Sequence, residues 1–157
     1  MIFLIFTIVL FISVSSDELL SKGKLAYQSS DKDGFVAQYA VDGNKGQYHL
    51  RDNCTHTQRE KNPWWYVDLQ TNVKITLVVI YNRLDDVSQR LVGAIVEVLD
   101  FGNDIISTCG TVTKVESASI FWCSNKSPSI GSKVRIRLNR KDVLTLCEVQ
   151  VYGIRSN

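Results

Sequence analysis

At 157 residues, with 45% hydrophobic and 22% charged side chains, the chain is long enough for one domain with a substantial core and short for two. Its formal charge is +2, with Lys and Arg scattered among Asp and Glu. That distribution excludes the basic stripe of a nucleic-acid binder and the polybasic patch of an anionic-membrane binder.

Residues 1–16 carry no charge and are dominated by Ile, Phe, Leu and Val, ending in Val14-Ser15-Ser16 before Asp17-Glu18. This reads as a secretory signal peptide without the usual basic start. Its apolar run of about 14 residues falls short of the roughly 18 to 20 that span a bilayer. The expectation is a cleaved leader, a single domain over 17–157, a secreted extracellular protein and no membrane insertion.

From 29 to 63 no period holds, and the chain is rich in Asp, Gly, Asn, Lys and His. An irregular polar stretch of this length within a compact domain is usually functional or disordered, and a tether at Cys54 argues for an ordered one. Asp42-Gly43-Asn44 falls here with Asn53 further on, and Glu148 stands beside Cys147 near the end of the chain. Alone, Asp-Gly-Asn is a turn; together with Asn53 and Glu148 it is also a set of oxygen donors of the kind calcium takes.

Residues 63–69 read Pro-Trp-Trp-Tyr-Val-Asp-Leu. Strand side chains alternate faces, and Val67 and Leu69 continue the side of Trp65. Both Trp64 and Trp65 are read as packing residues rather than as a surface for stacking sugars. Residues 73–81 are apolar on nearly both faces, as in a central strand. Further strands are expected at 93–99, 105–109 and 119–123, separated by Gly-, Asn- and Ser-containing turns. Val134, Ile136 and Leu138 alternate with Lys133, Arg135, Arg137 and Asn139, and Cys147, Val149 and Val151 alternate with Glu148, Gln150 and Tyr152. With helical periodicity almost absent, the fold class is an all-β sandwich.

The four cysteines are an even number, as in the disulfide framework of a secreted chain. Three pairings exist. Cys109 and Cys123 flank a hairpin, which leaves Cys54 with Cys147, tying the irregular stretch to the last strand. The sequons Asn53-Cys54-Thr55 and Asn125-Lys126-Ser127 are not read as glycosylation sites: the first sits at a disulfide, and Pro128 follows the second.

The spacing that carries most information is His56, 26 residues, Arg83-Leu84-Asp85, four residues, Arg90. A neutral imidazole offers one donor and one acceptor, and each guanidinium offers a rigid fork of donors that keeps its charge. Such a set suits vicinal hydroxyls, with Asp85 positioned to accept from one fork. Catalysis is not expected. Asp85 and Asp86 are adjacent and point apart, whereas glycoside hydrolysis needs two carboxylates facing one bond across about 5 to 9 Å, and neither His49 nor His56 has a nucleophile partner.

On Gln28-Ser29-Ser30, Ala40-Val41-Asp42-Gly43-Asn44, Cys54-Thr55-His56-Thr57, Asn62-Pro63-Trp64-Trp65, the Arg83-to-Arg90 segment and Leu144-Thr145-Leu146-Cys147-Glu148-Val149, the chain resembles the F-type lectins over about residues 24–153. These are the fucolectin, tachylectin-4 and pentraxin-1 group of the discoidin-like, F5/8 type C jelly rolls. The resemblance implies an eight-stranded jelly roll that binds L-fucose, with His56, Arg83 and Arg90 hydrogen-bonding its ring oxygen and hydroxyls and Asp85 orienting the arginines. It implies a structural Ca2+ held by side chains of Asp42, Asn44, Asn53 and Glu148 and backbone oxygens near Tyr39 and Cys147, stabilising loops without touching the sugar. It also implies the disulfides Cys54–Cys147 and Cys109–Cys123.

One departure stands out. Several members carry adjacent cysteines where this chain has Asp86-Val87, leaving Val87 as the apolar contact for the sugar and placing a charge beside it. The neighbouring His49-Leu50-Arg51 segment, which in relatives helps select adjoining sugars, gives no readable specificity.

The resulting expectation is a secreted, calcium-containing, non-enzymatic lectin for terminal L-fucose on microbial or host glycans. Weak affinity per site is ordinarily offset by avidity, so a homo-oligomer is a natural form, though nothing in the sequence enforces one. The alternative is a discoidin-like adhesion module that binds protein or anionic lipid through exposed loop-tip spikes, for which Phe35 and Tyr39 are the candidates.

Overall fold

The computed structural model describes residues 16–123 and 129–155. The expected leader, except Ser16, and the sequon at Asn125 lie outside the described residues. Among the described residues the strands are β1 (Glu18–Leu19), β2 (Leu25–Gln28), β3 (Glu60–Lys61), β4 (Trp64–Tyr81), β5 (Ile95–Leu99), β6 (Ile105–Thr111), β7 (Ala118–Trp122), β8 (Ser129–Arg137), β9 (Lys141–Asp142) and β10 (Glu148–Arg155). Eight of them are hydrogen-bonded into one antiparallel network through β4, and β3 pairs separately with β9. The expected all-β, eight-stranded sandwich is what forms.

The 18-residue β4 joins the two layers. Its first part, Trp64 to Asp68, pairs with β2 on one side and β8 on the other, and β8 continues through β5 to β6. Its last part, Leu77 to Tyr81, pairs with β7 and β10, and β10 pairs with β1. Between them the register with β8 breaks from Asp68 to Val73, and Gln70 takes a left-handed φ of 66°. Local patterning suggested separate segments at 63–69 and 73–81. They are one strand because its bend lets both halves stay paired while the chain changes layer.

Alternation along β4 sends Trp65, Val67 and Leu69 into the core, where Trp65 is fully buried and its indole N–H donates to the Ala37 carbonyl at 2.9 Å. Val78, Ile80, Val96, Val98, Val134, Ile136, Val149 and Val151 fill the same core. Trp64 behaves differently. It is only partly buried and stacks on Tyr66, also half-buried, with ring centroids 5.5 Å apart, so the reading of both tryptophans as packing residues holds for Trp65 and is corrected for Trp64. Gly153 marks a second irregularity: at the bulge after Tyr152, a Cβ would run into the Lys74 carbonyl oxygen.

Both disulfides form as the spacing suggested. Cys109 on β6 and Cys123 just beyond β7 tie the edge of one layer to the edge of the other. Cys54–Cys147 pins the irregular stretch to the start of β10.

Candidate functional site

Two segments far apart in sequence are zipped together at the end of the sandwich. Thr55 N–H donates to Leu146 O at 2.7 Å and Thr57 N–H to Leu144 O at 3.1 Å. The hydroxyls of Thr55 and Thr57, both fully buried, accept from Leu146 N–H at 3.0 Å and Leu144 N–H at 2.9 Å. With Cys54 bonded to Cys147, this leaves the 54–57 segment little freedom. By alternation, His56 is directed to the opposite side from the two threonines.

His56 is 8% exposed, and its Nδ1 lies 2.8 Å from the Thr57 carbonyl. A carbonyl can only accept, so Nδ1 carries the proton and Nε2 is the acceptor in the neutral ring. Burial lowers its pKa, and the charges of Arg83 and Arg90 push it the same way. His56 is therefore a neutral acceptor at physiological pH.

Arg83, in the loop leaving β4, is 8% exposed. Its Nε donates to Asp85 Oδ1 at 2.7 Å and its Nη2 to Asp85 Oδ2 at 2.5 Å. This bidentate fork fixes the guanidinium plane and leaves Nη1 available. In return the Arg83 hydrogen bonds hold the Asp85 carboxyl below its ordinary pKa. Arg90 lies in the 3-10 turn Ser88–Leu91 and approaches closely enough to influence both histidines electrostatically. Asp85 bonds Arg83. Arg90 is placed differently, through its backbone: the Arg90 and Val92 carbonyls accept from Arg140 Nη2 and Nη1 at 2.7 and 2.6 Å, with Arg140 itself held by Asp142.

A second histidine completes the wall. His49 opens the one-turn helix α1 (His49–Asp52), is 9% exposed, and has its ring 5.1 Å from His56 and 4.1 Å from Phe35. Its pKa is pushed down to about 4, first by burial and then by Arg83. Its Nδ1 is buried without a hydrogen-bond partner among the described residues.

Against this geometry the comparisons are specific. The family model described as NedA-like, galactose-binding domain matches residues 39–140. Fucolectin-6 of Anguilla japonica is 41% identical over 118 residues, which is 73% of this chain and 62% of that protein. Fucolectin of Anguilla anguilla is 35% identical over 121 residues, 73% of this chain and 75% of that protein. A lectinolysin lectin-domain structure, a histidine mutant complexed with Lewis b, is similar with a TM-score of 0.82 at 28% identity, over 90% of this chain and 100% of that one. The chain belongs to the F-type lectin family. It spans 62 to 63% of the length of two of its fucolectin relatives.

In this F-type lectin part of the set expected around calcium is drawn together by the Gly43–Glu148 hydrogen bond and the Cys54–Cys147 disulfide. Glu148 is 1% exposed, accepts one long hydrogen bond from Gly43 N–H at 3.3 Å, and has no ion-pair partner among the described residues. Burial, with the nearby Asp42 carboxylate adding, pushes its pKa up to about 7. Gly43 adopts φ +89°, a conformation that favours glycine. The Asp42 and Asn44 side chains each accept a backbone N–H two residues on, at 2.7 and 2.9 Å. Asn53, with φ 55° and ψ 53°, precedes Cys54, and the disulfide brings that end of the loop to Cys147 and Glu148. Among the described residues no three His, Cys, Asp or Glu gather into a metal-binding group. The donors here are two carboxylates with amide and carbonyl oxygens. A buried carboxylate beside a second carboxylate, with Lys45 and Lys22 acting on it only at a distance and no direct ion pair among the described residues, fits a hard divalent cation.

Sequence reasoning named His56, Arg83, Asp85 and Arg90, and the fold brings His56, Arg83 and Arg90 into mutual electrostatic reach. It missed three supports. Asn82, 2% exposed, donates to Ser88 O at 2.9 Å and spans the motif loop from within. Gln47 donates to Asn82 O and Ser117 O, and Gln47 O accepts from Leu84 N–H. Arg140 is the third. Gln47 and Arg140 had no signal, because each acts through backbone carbonyls remote in sequence, whereas Asn82 adjoins the motif and reaches a carbonyl six positions on. Phe35, expected as an exposed spike in the adhesion reading, is half-buried against His49. Val87 is half-buried in the motif loop, and Asp86 is exposed.

Proposed function

We propose that this chain is a secreted, non-enzymatic lectin that binds terminal L-fucose at His56, Arg83 and Arg90. The observation that carries the reading is the neutral His56 acceptor beside an Arg83 fork locked by Asp85. Arg83 Nη1 and Arg90 donate to the ring oxygen and to hydroxyl oxygens, while His56 Nε2 accepts from a hydroxyl proton, which neither arginine can do. This mixture suits a neutral diol better than a carboxylate, which has no proton to give His56. Val87 supplies an apolar surface for the methyl and ring carbons. The relatives named fucolectins and the lectinolysin domain complexed with Lewis b support the choice of fucose.

Calcium belongs to the same proposal, held by Asp42, Asn44, Asn53 and Glu148 side chains with backbone oxygens at Tyr39 and Cys147. When bound it neutralises carboxylates and braces the loop that carries α1, leaving the sugar contacts to His56 and the arginines. Two disulfides and the uncharged leader support an extracellular location, where fucosylated glycans of microbes or host are the ligands and self-association raises avidity.

The test is a glycan array with the mature chain, with and without chelator, beside Arg83→Ala. Fucosylated glycans bind selectively and Arg83→Ala loses them. If galactosides bind as well as fucosides, or if the variant binds like the parent, the reading fails.

A further inference from the structure

The outer face of the layer formed by β2, the first part of β4, β8, β5 and β6 holds a feature that the loop site does not use. Outward alternation on β4 presents Trp64 and Tyr66, and register places Tyr27 of β2 opposite Tyr66. Tyr27 and Tyr66 have centroids 5.1 Å apart, Trp64 and Tyr66 5.5 Å, with rings inclined by only 29° and 20°. Cross-strand aromatic pairing by itself is a common way to stabilise a sheet. Here, however, Trp64 and Tyr66 form one wall of a groove of about 330 Å³, completed by Leu99, Asn103 and Arg135. That volume is at the lower end of small-molecule pockets and suits a single sugar ring.

The polar lining is fixed and donor-rich. Arg135 spends Nε and Nη2 on Glu97 at 2.8 and 2.7 Å, leaving Nη1. Glu97, 1% exposed, is shared with Arg137 and anchors both guanidiniums. Asn103 accepts from Lys133 Nζ at 2.7 Å through Oδ1, leaving its Nδ2 hydrogens. Burial raises the Tyr66 pKa, keeping a neutral phenol. An apolar wall facing anchored donors matches a pyranose, whose C–H face packs on aromatic rings and whose oxygens accept. Because the donors are already immobilised, little side-chain entropy remains to be lost on binding.

We propose that this groove is a second saccharide site, in which a pyranose of a glycan packs against Trp64 and Tyr66 while Arg135 Nη1 and Asn103 Nδ2 donate to its oxygens. It shares no residue with the loop site and does not depend on fucose recognition there.

The test uses the full mature chain carrying Arg83→Ala, which silences the loop site, titrated with fucose-free galacto-, gluco- and N-acetylglucosamine oligosaccharides. The readout is the three indole N–H signals in a proton–nitrogen correlation spectrum. The Trp64 signal shifts with at least one oligosaccharide, while that of Trp65, buried and bonded to Ala37, stays in place as an internal reference. Trp64→Ala and, separately, Asn103→Asp weaken the interaction by about tenfold or more. Asn103→Asp removes the donor at a position of φ 74° that Asp tolerates, and it decides the matter if Trp64→Ala does not fold. No Trp64 shift at millimolar oligosaccharide, or equal affinity in a folded variant, overturns the proposal. So does a change in sedimentation with Trp64→Ala without a change in saccharide binding, which would make the groove a contact between copies.

Discussion

Asp85 is the residue on which the loop site turns, because it converts Arg83 from a flexible cation into an oriented fork. Asp85→Asn keeps the shape, removes the charge and offers one acceptor in place of two. Losing a charge-assisted hydrogen bond costs about 1.5 to 3 kcal/mol, so fucose affinity should fall roughly tenfold to a hundredfold by calorimetry. An unchanged affinity would show that Arg83 needs no partner. The histidines set the acid limit. His49 has a folded pKa of about 4 against an ordinary 6.5, first because it is buried, with Arg83, His56 and Arg90 also opposing its protonation and Asp85 favouring it. Between those values the unfolded chain binds a proton that the folded chain refuses, so the His49 contribution is complete above pH 6.5 and declines as pH falls toward 4, opposed without bound metal by Glu148, whose folded pKa of about 7 lies above its ordinary value. Thermal melts of the parent and of His49→Phe across that window should differ by this fall, the parent losing stability relative to the variant as pH drops. A slope identical to the parent's would remove His49 as its origin. The Arg83–Asp85 pair outlasts this range, because Asp85 is shifted below 3.8 and its contribution disappears only as pH drops through that lower value.

The two disulfides do different work at the level of elements. Cys54–Cys147 closes a separation of 93 residues and Cys109–Cys123 one of 14. On loop entropy they contribute about 4 to 5 and about 3 kcal/mol. Replacing either pair by Ala should lower the urea midpoint, the first pair more. Only loss of Cys54–Cys147 should also weaken fucose binding in protein that is still folded, since it loosens the segment presenting His56. Equal affinity in both variants would mean that the Thr55 and Thr57 clamps suffice. The strands themselves were legible because a half-buried strand repeats every two residues, as Val134, Ile136 and Leu138 do. The unity of β4 was not, since its bend at Gln70 interrupts that period while pairing on both sides continues.

Across the whole molecule, calcium is expected to act as a structural staple. Chelation should lower the melting temperature, and Glu148→Gln should abolish that response while melting no lower than the calcium-free parent, because it removes a buried charge that has lost its counter-ion. An unchanged parental melt on chelation would take the metal out of the account. If the Trp64 groove also binds saccharide, one domain carries two sites, and a glycan reaching both gains avidity without self-association.

By itself the sequence determined the fold class and the disulfide pairing and proposed the residues of the loop site, since periodicity, cysteine spacing and the His56-to-Arg90 motif are all local or countable. Tertiary structure decided what those residues touch. Arg140 reaches the Arg90 carbonyl across 50 positions, Thr57 and Leu144 bond across 87, and His49 meets Phe35 and His56 from a separate turn. It also separated Trp64 from Trp65, adjacent in sequence: one packs in the core and the other faces a groove. The physical reason is that alternation along a strand assigns side chains to two faces, whereas what each face meets depends on strands paired from elsewhere in the chain.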